Sequence, residues 1–407
     1  MRVYRELVRM PRVLNITASQ VFTRLPLGML SLAILLHVHR LTGSYAVAGA
    51  VVAWLSVGQA VAMPVTARLA GRVGMVPTLI VSALVNGISM VVLAFAEPSP
   101  TLLMVLGLLV GASVPPLAPV VRALYPQMVP AKSLRALFAL DATAQELIWV
   151  IGPVAATFLA SAVSTVLPLL VAAAVTVVGT GWFLLGAGGI RPPNAQERAA
   201  FGRVLANRAV LLAMMACLGL VASFMALEVG VIAALGSDGV AAGAALALAS
   251  FGSLLGGLGF GHRRIGVTGV VAAMTLVAVG IVLFGVFDNL VLQFASLFLS
   301  GLGFAPAMSA LYIMVSQEVD DHAATEAFGW LNSAMLVGGA IGTAVAGVAT
   351  EVHGSIGAVY VAALLAAVAA VSPVVARMAG PLHGLSGDVP PPTVGDGALC
   401  GSVCADR

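Results

Sequence analysis

The sequence contains few charged residues, few cysteines and only one lysine. Of its 407 residues 9% are charged, while 60% are hydrophobic. Because soluble domains carry about a quarter charged residues, this composition excludes a soluble protein. The cysteines match no metal or redox spacing, so we expect no metal, disulfide or cofactor. The sequence contains neither a nucleotide-binding loop nor a nucleophile–base pattern, which argues against an ATP-driven pump and against an enzyme.

Long apolar stretches fill most of the chain. Their lengths approach or exceed the roughly 20 residues with which a helix spans a bilayer, and they lack the two-residue alternation of barrel strands. We therefore predict an all-α integral membrane protein with twelve transmembrane helices. They lie near residues 13–37, 45–67, 75–96, 101–124, 134–161, 165–187, 209–235, 240–261, 267–287, 290–315, 325–350 and 356–377.

The basic residues are distributed unevenly between the two sides of these helices. With the N-terminus in the cytoplasm, seventeen of the nineteen Arg and Lys residues fall in inner segments, including Arg122 at the cytoplasmic end of helix 4. The positive-inside rule then predicts that both termini are cytoplasmic. We expect a multi-pass protein of the plasma (inner) membrane whose basic patches face the lipid bilayer rather than nucleic acid.

A short, basic, glycine-rich loop occurs twice, roughly half the chain apart. The copies run from Ala67 to Gly74 and from Gly259 to Gly266, and each joins two apolar segments. We interpret the chain as a duplicated unit with the same orientation in both halves. The predicted parts are a six-helix bundle (1–187), a cytoplasmic linker (188–208), a second six-helix bundle (209–377) and a flexible cytoplasmic tail (378–407).

Two parallel six-helix halves with such loops after their second helices resemble the major facilitator superfamily of secondary transporters. The family's loop pattern is Gly-x-Leu-Ala-Asp-Arg-x-Gly. The first copy matches it at Leu69, Ala70, Arg72 and Gly74. Ala67 replaces the first glycine, and Gly71 stands where the family has an Asp whose charge contact steadies the outward-open state.

We expect both loops to couple neighbouring helices while the halves rock. The residues concerned are Arg68, Arg72, Gly74, Arg264 and Gly266. The simpler alternative is that the arginines only anchor the topology and the glycines only allow a tight turn. Glu326, with Asp320 and Asp321, is expected to meet the basic inner loops when the inner face closes.

Prolines interrupt several of the predicted spans. Gly152-Pro153 in helix 5 looks like the Gly-Pro of a motif associated with exporters of the family. Pro115 and Pro116 in helix 4 and Pro306 in helix 10 lie at matching places in the two halves. Because a proline inside a span bends the helix, broken helices at these places predict a midplane binding site, with ordinary packing as the alternative.

Charged residues also lie within the predicted spans. Arg24 is about 16 Å from the inner end of helix 1 and Glu146 roughly 18 Å into helix 5, at about 1.5 Å per residue, while Asp141 is shallower. A charge at mid-span faces a partner or a cavity. We hypothesise that Glu146 gains and loses a proton with Arg24 as its charge partner, and a static pair joining helices 1 and 5 is the alternative.

Polar and aromatic side chains at the depth of a central cavity are the candidates for substrate contact. They are Gln59, Trp149, Tyr312, Trp330 and Asn332. The resemblance implies a monomeric transporter that moves a small molecule by alternating access, with protons as the coupling ion. The few charges at this depth disfavour a strongly anionic substrate, and we expect export of a small amphipathic or hydrophobic molecule. An uptake carrier for a neutral metabolite such as a sugar, and a membrane sensor or scaffold without transport, are the alternatives.

Overall fold

Twelve helices account for most of the residues that the computed structural model describes, which are Leu7, 9–188, 201–235, 239–260 and 267–378. Within these ranges, the side chains of 45, 46, 131, 132, 146, 150, 239, 240, 267, 321, 322 and 372–378 are not described. The helices are α1 (Pro11–Thr42), α2 (Tyr45–Arg72), α3 (Met75–Ala94), α4 (Pro100–Met128), α5 (Ala131–Ala162), α6 (Leu167–Ala187), α7 (Arg208–Leu235), α8 (Gly239–Phe260), α9 (Val267–Val286), α10 (Leu290–Glu318), α11 (Asp321–His353) and α12 (Ser355–Met378).

Eleven of the described helices are long and apolar enough to cross a membrane, and Ser355–Val371 of α12 forms a shorter apolar helix. Each predicted span is occupied by a helix, so the all-α multi-pass fold is confirmed. Several helices run beyond their predicted ends. The segment before Gly74 that the sequence suggested as a loop is the last part of α2, which continues to Arg72.

Helix ends follow from local chemistry. α1 ends at Gly43, whose φ of 68° lies in the left-handed region and lets its N–H bond to the carbonyl of His39. Ser44 then caps α2, because its hydroxyl accepts the N–H of Val47 at 3.3 Å. Gly74 has a φ of 117° and separates α2 from α3. A tight turn at this point therefore requires glycine, whatever else the loop does.

Prolines divide α4 into two segments. It stops after Ala112 and resumes at Leu117. Pro115 precedes Pro116, and a residue before proline avoids the α conformation, so the helix cannot continue through this pair. α10, in contrast, runs through Pro306 without a break. The expectation of broken helices at matching places in both halves is therefore wrong for α10, because a single proline removes one backbone bond and only bends the helix.

Glycines bring α2 against α4, and α8 against α10, in the same way in the two halves. A Cβ atom added to Gly58 of α2 would collide with the carbonyl of Leu108 in α4. One added to Gly252 of α8 would collide with the carbonyl of Phe298 in α10. These helices cross with their backbones in contact, which small residues permit.

A second crossing repeats in the same manner. Gly152 of α5 lies against the backbone of Gly28 in α1, and Gly342 of α11 lies against the backbone of Ala222 in α7. α5 runs through Pro153 as one helix, so Gly152 serves a close helix approach here. The two halves therefore share one packing scheme at these two crossings.

The halves contact each other where α2 ends and α11 begins, and we call this the closed end. α2 packs along α11, and α5 packs against α8 and α10. The hydroxyl of Ser333 in α11 donates to the carbonyl of Ala60 in α2 at 2.6 Å. Within the described chain, α1 and α7 share at most a marginal contact. The contact between the halves is thus concentrated at one end of the molecule.

Candidate functional site

A buried carboxylate, Asp141 on α5, is the centre of a charged cluster within the first half. Its side chain is 1% exposed and accepts hydrogen bonds from guanidinium groups on two other helices. Arg24 of α1 donates through Nη1 to Oδ1 at 2.8 Å, and Arg122 of α4 donates through Nε to Oδ2 at 2.7 Å. Both arginines are also buried. Among the described side chains, two cations therefore face one anion, which leaves one positive charge in excess.

Two glutamines complete this ion-pair cluster. Gln20 donates through Nε2 to Asp141 at 3.1 Å and to the Tyr125 hydroxyl at 3.2 Å, and its Oε1 accepts from Arg24 at 3.0 Å. Gln145 accepts from both arginines through Oε1. Helix residues four apart share a face, so the sequence spacing aligns Gln20 with Arg24 and Asp141 with Gln145.

The cluster is paired but not fully satisfied. Within the described part of the chain, Arg24 Nε and Arg122 Nη1 are buried without a hydrogen-bond partner. An unmet buried donor costs about 1–3 kcal/mol. Removing one member of a buried ion pair costs about 3–5 kcal/mol, because a bare charge remains. The arrangement is held together by the carboxylate, and its arginines keep donors available for another partner.

Arg122 also contacts the second half of the molecule. Its guanidinium carbon lies 3.8 Å from the centre of the Tyr312 ring on α10. The Tyr312 ring lies 6.4 Å from each of the rings of Phe138 on α5 and Phe328 on α11. Tyr125 meets Phe138 edge-on at 5.2 Å. These aromatic rings from both halves form a buried layer between the ion-pair cluster and α11.

A second ion pair joins the halves at the closed end. Arg68 of α2 and Glu326 of α11 approach to 2.9 Å, and Glu326 also accepts the backbone N–H of Gly202 at 2.8 Å. The Arg68 guanidinium lies 5.3 Å from the centre of the Phe201 ring, and that ring lies 5.7 Å from Trp330. For Glu326 the expected contact with a basic inner loop is present, because Arg68 belongs to the predicted loop from Ala67 to Gly74. A charge contact to α11 thus exists although Gly71 replaces the family's Asp.

The predicted charge residues have different outcomes. Arg24 and Asp141 come together as a direct ion pair, and Arg24 also bonds Gln145. The Glu146 side chain lies outside the described residues, so its pairing with Arg24 stays a prediction. Among the loop residues, Arg68 joins the halves, Arg72 ends α2 and Gly74 forms the turn. Arg264 and Gly266 lie outside the described residues.

The predicted cavity residues do not share one surface. Tyr312 is buried against Arg122, whereas Trp330 lies at the closed end beside Phe201. Gln59 and Asn332 are half-buried, and Trp149 is exposed. No three His, Cys, Asp or Glu side chains come close enough to hold a metal ion in the part of the chain that the structure describes.

Sequence reasoning missed Arg122 and Gln20 as site residues. It counted Arg122 among the inner basic residues, but the structure places it inside the second segment of α4 with 1% exposure. Two signals were present in the sequence. Arg122 follows the Pro115-Pro116 break within an apolar segment, and Gln20 lies one helical turn before Arg24.

A duplicated bundle of twelve helices, with a buried charge cluster beside the contact between its halves, is the architecture of a secondary membrane transporter. The sequence profile of the Major Facilitator Superfamily matches residues 16–343, and the chain belongs to that family. No curated protein sequence matches the chain.

Solved structures agree in fold. The human organic anion transporter MFSD10 (TETRAN) is 15% identical with a TM-score of 0.71, covering 89% of this chain and 99% of that one. The fucose:proton symporter of E. coli is 13% identical with a TM-score of 0.70, covering 91% and 99%. An outward-facing bacterial homologue of the iron transporter ferroportin is 13% identical with a TM-score of 0.70, covering 89% and 98%. At these identities the likeness concerns the fold alone.

Proposed function

We propose that this transporter exchanges protons for a small amphipathic or hydrophobic molecule, which it exports, and that Asp141 is the group that takes up the proton. One observation carries the proposal. The carboxylate of Asp141, bonded by Arg24 and Arg122, is buried beside the contact between the two halves. Buried ionisable groups in membrane helices mark ion and proton pathways by default.

A proton and a guanidinium compete for this carboxylate. In the conformation described here both oxygens of Asp141 accept arginine N–H groups, and this pairing favours the ionised form. A proton can therefore bind stably only when an arginine moves away. Since the cluster lies against the second half, such a movement is linked to the relative position of the halves, and the linkage acts in both directions.

The orientation that the basic residues favour indicates which side of the membrane the described conformation closes. Arg12 and Arg68 lie at the same side as the closed end, where Arg12 donates to the carbonyl of Gly188. The positive-inside rule assigns this side to the cytoplasm of the plasma membrane, with both termini inside. The conformation is then the one that releases an exported molecule and receives a proton from outside.

An organic anion is a second candidate substrate, and the excess positive charge of the cluster favours it. Arg24 Nε and Arg122 Nη1 have no partner among the described residues, so each has an N–H group to offer a carboxylate. The human transporter of similar fold carries organic anions by its name. An amphipathic molecule with an acidic group would satisfy both proposals.

The test begins with a screen for compounds whose accumulation differs between cells with and without the gene. A compound found in this way is then followed in proteoliposomes together with the internal pH. We expect compound-driven proton movement in the wild type and none in Asp141→Asn, while Asp288→Asn, which changes an exposed carboxylate, behaves as the wild type. Transport without proton movement in the wild type would refute the coupling.

A further inference from the structure

We propose that Tyr312 is the residue through which the charge state of Asp141 controls closure of the halves, with Arg122 as the link between them. This inference rests on the proposed function, because it assumes that Asp141 gains and loses a proton. It adds a positioning role in the second half of the molecule for a residue that does not touch the proton.

Arg122 is shared between the carboxylate and the ring. Its Nε donates to Asp141 Oδ2 at 2.7 Å, while its guanidinium carbon lies 3.8 Å from the centre of the Tyr312 ring. A planar guanidinium can bond a carboxylate through its edge and stack on an aromatic ring through its face. Asp141 belongs to α5 and Tyr312 to α10, so one cation joins the two halves.

The burial of these three groups makes the arrangement sensitive to charge. Arg122, Asp141 and Tyr312 are each 1% exposed. With Asp141 ionised, the guanidinium has a counter-charge and can remain away from water. Once Asp141 is protonated, Arg24 and Arg122 face each other without an anion. Water must then reach Arg122, and separation of α4 from α10 admits it.

Other titratable groups surround the same carboxylate. They are Arg24 from α1, Arg122 and Tyr125 from α4 and Tyr312 from α10, with Cys217 of α7 close enough to interact with Arg122. Among them Asp141 is the group whose protonation removes the negative charge. The Tyr312 ring contacts Arg122 only while the halves are together. This contact therefore stabilises the closed conformation relative to the open one.

Ordinary aromatic packing is the competing explanation, since Tyr312 also touches Phe138 and Phe328. Two substitutions separate the explanations. Tyr312→Phe keeps the ring and loses only a hydroxyl that faces the sulfur of Met335 at 3.7 Å. Tyr312→Leu removes the ring but leaves an apolar side chain. The cation–ring contact predicts that only Tyr312→Leu changes closure.

Closure can be measured without a transported compound. Ala60→Cys and Ser333→Cys place thiols on α2 and α11 where the native side chain and carbonyl are 2.6 Å apart. Cys217, Cys400 and Cys404 are replaced by alanine in the same full-length chain. The cross-linked fraction in membranes is followed from alkaline to acid pH. At each pH it is divided by that of the same cysteine pair in the Asp141→Asn background, because thiols lose reactivity as they are protonated. The corrected fraction then reports the ratio of closed to open molecules.

We expect cross-linking in the wild-type background to decrease as the pH falls, and Tyr312→Phe to follow the same curve. Tyr312→Leu should lower the ratio of closed to open molecules about 30-fold, which corresponds to about 2 kcal/mol for a desolvated cation–π contact. In an Asp141→Asn background, where Arg122 has lost its anion, Tyr312→Leu should change the ratio little, because the two substitutions remove the same coupling.

Equal effects of Tyr312→Leu with and without Asp141→Asn would overturn the inference and indicate simple packing. An unchanged ratio in Tyr312→Leu would overturn it as well. If either of these results is obtained while the wild type still couples transport to proton movement, the proposed function is retained and only the role of Tyr312 is wrong. If the wild type shows neither pH-dependent closure nor proton movement, both proposals are wrong.

Discussion

Arg68 of α2 and Glu326 of α11 form an ion pair between the two halves, with Nη1 and Oε2 2.9 Å apart. Both side chains are little exposed, at 12% and 11%, so water screens the pair only in part. Glu326 binds the backbone of Gly202 with its other oxygen, and the ring of Phe201 lies beside Arg68. The segment that precedes α7 is therefore attached to the same contact that closes this end.

We predict that Arg68→Ala opens the closed end. Loss of a partly buried pair is worth about 1–2 kcal/mol, so the ratio of closed to open molecules should fall about 5- to 30-fold. Labelling of a cysteine placed at Ser333 by a membrane-impermeant maleimide, applied from the closed side, measures this. Arg40→Ala at the opposite end serves as the control and should leave labelling unchanged. Equal labelling of Arg68→Ala and the control would show that the pair does not hold the end closed.

A second prediction concerns the order of stability among variants of the ion-pair cluster. Asp141→Asn leaves two buried guanidinium groups without an anion, and we expect a loss of about 3–5 kcal/mol. Arg24→Met leaves Arg122 and Asp141 as a neutral pair and removes the excess charge, so its loss should be smaller. Thermal unfolding in detergent gives the order directly. A lower transition temperature for Arg24→Met than for Asp141→Asn would contradict the described charge balance.

The fold could be predicted from the sequence because its signals are local. Helix length, the glycine turn at Gly74 and the side preference of arginine each act within a short segment. The unbroken course of α10 through Pro306 could not be predicted in this way. Whether one proline bends or breaks a helix depends on its neighbours, and Pro115 shows that a second adjacent proline decides the outcome.

The site could be predicted only in part, because its geometry depends on which helix faces which. Depth along helix 1 pointed to Glu146 as the partner of Arg24, and that pairing stays a prediction, but the sequence did not indicate the ion pair that Arg24 forms with Asp141. Distance along the helix gives the depth of a residue in the membrane. The rotation of the helix about its axis decides which neighbouring helix the side chain faces. Arg122 lies in the segment of α4 that follows the break and bonds Asp141, a contact that spacing along the chain does not reveal.

A third prediction separates the two carboxylates of α5. Transport by Glu146→Gln should keep its full pH dependence in proteoliposomes, whereas Asp141→Asn should lose it, because Asp141 is the acid bonded by both arginines. Substrate binding by each variant is measured alongside to show that it is folded. If Glu146→Gln instead loses the pH dependence and Asp141→Asn keeps it, Glu146 is the residue that takes up the proton, as the sequence suggested.

The last prediction concerns the glycine crossings that the two halves share. At Gly58 and Gly252 an added Cβ would meet a carbonyl oxygen of the facing helix, so the backbones must move apart to accept it. Overpacking of this kind costs about 1–3 kcal/mol. We therefore expect Gly58→Ala and Gly252→Ala each to lower the thermal stability of the purified protein and its yield from membranes.

Each of these glycines has a matched control in its own helix. Gly49 of α2 and Gly243 of α8 have nothing within 4 Å of an added Cβ. Alanine is the better helix former by about 1 kcal/mol, so Gly49→Ala and Gly243→Ala should be neutral or stabilising. Equal destabilisation at crossing and control positions would mean that flexibility of the glycines matters more than their size. If Gly58→Ala and Gly252→Ala differ widely in their effect on thermal stability, the two crossings contribute unequally to stability, although the halves share one packing scheme.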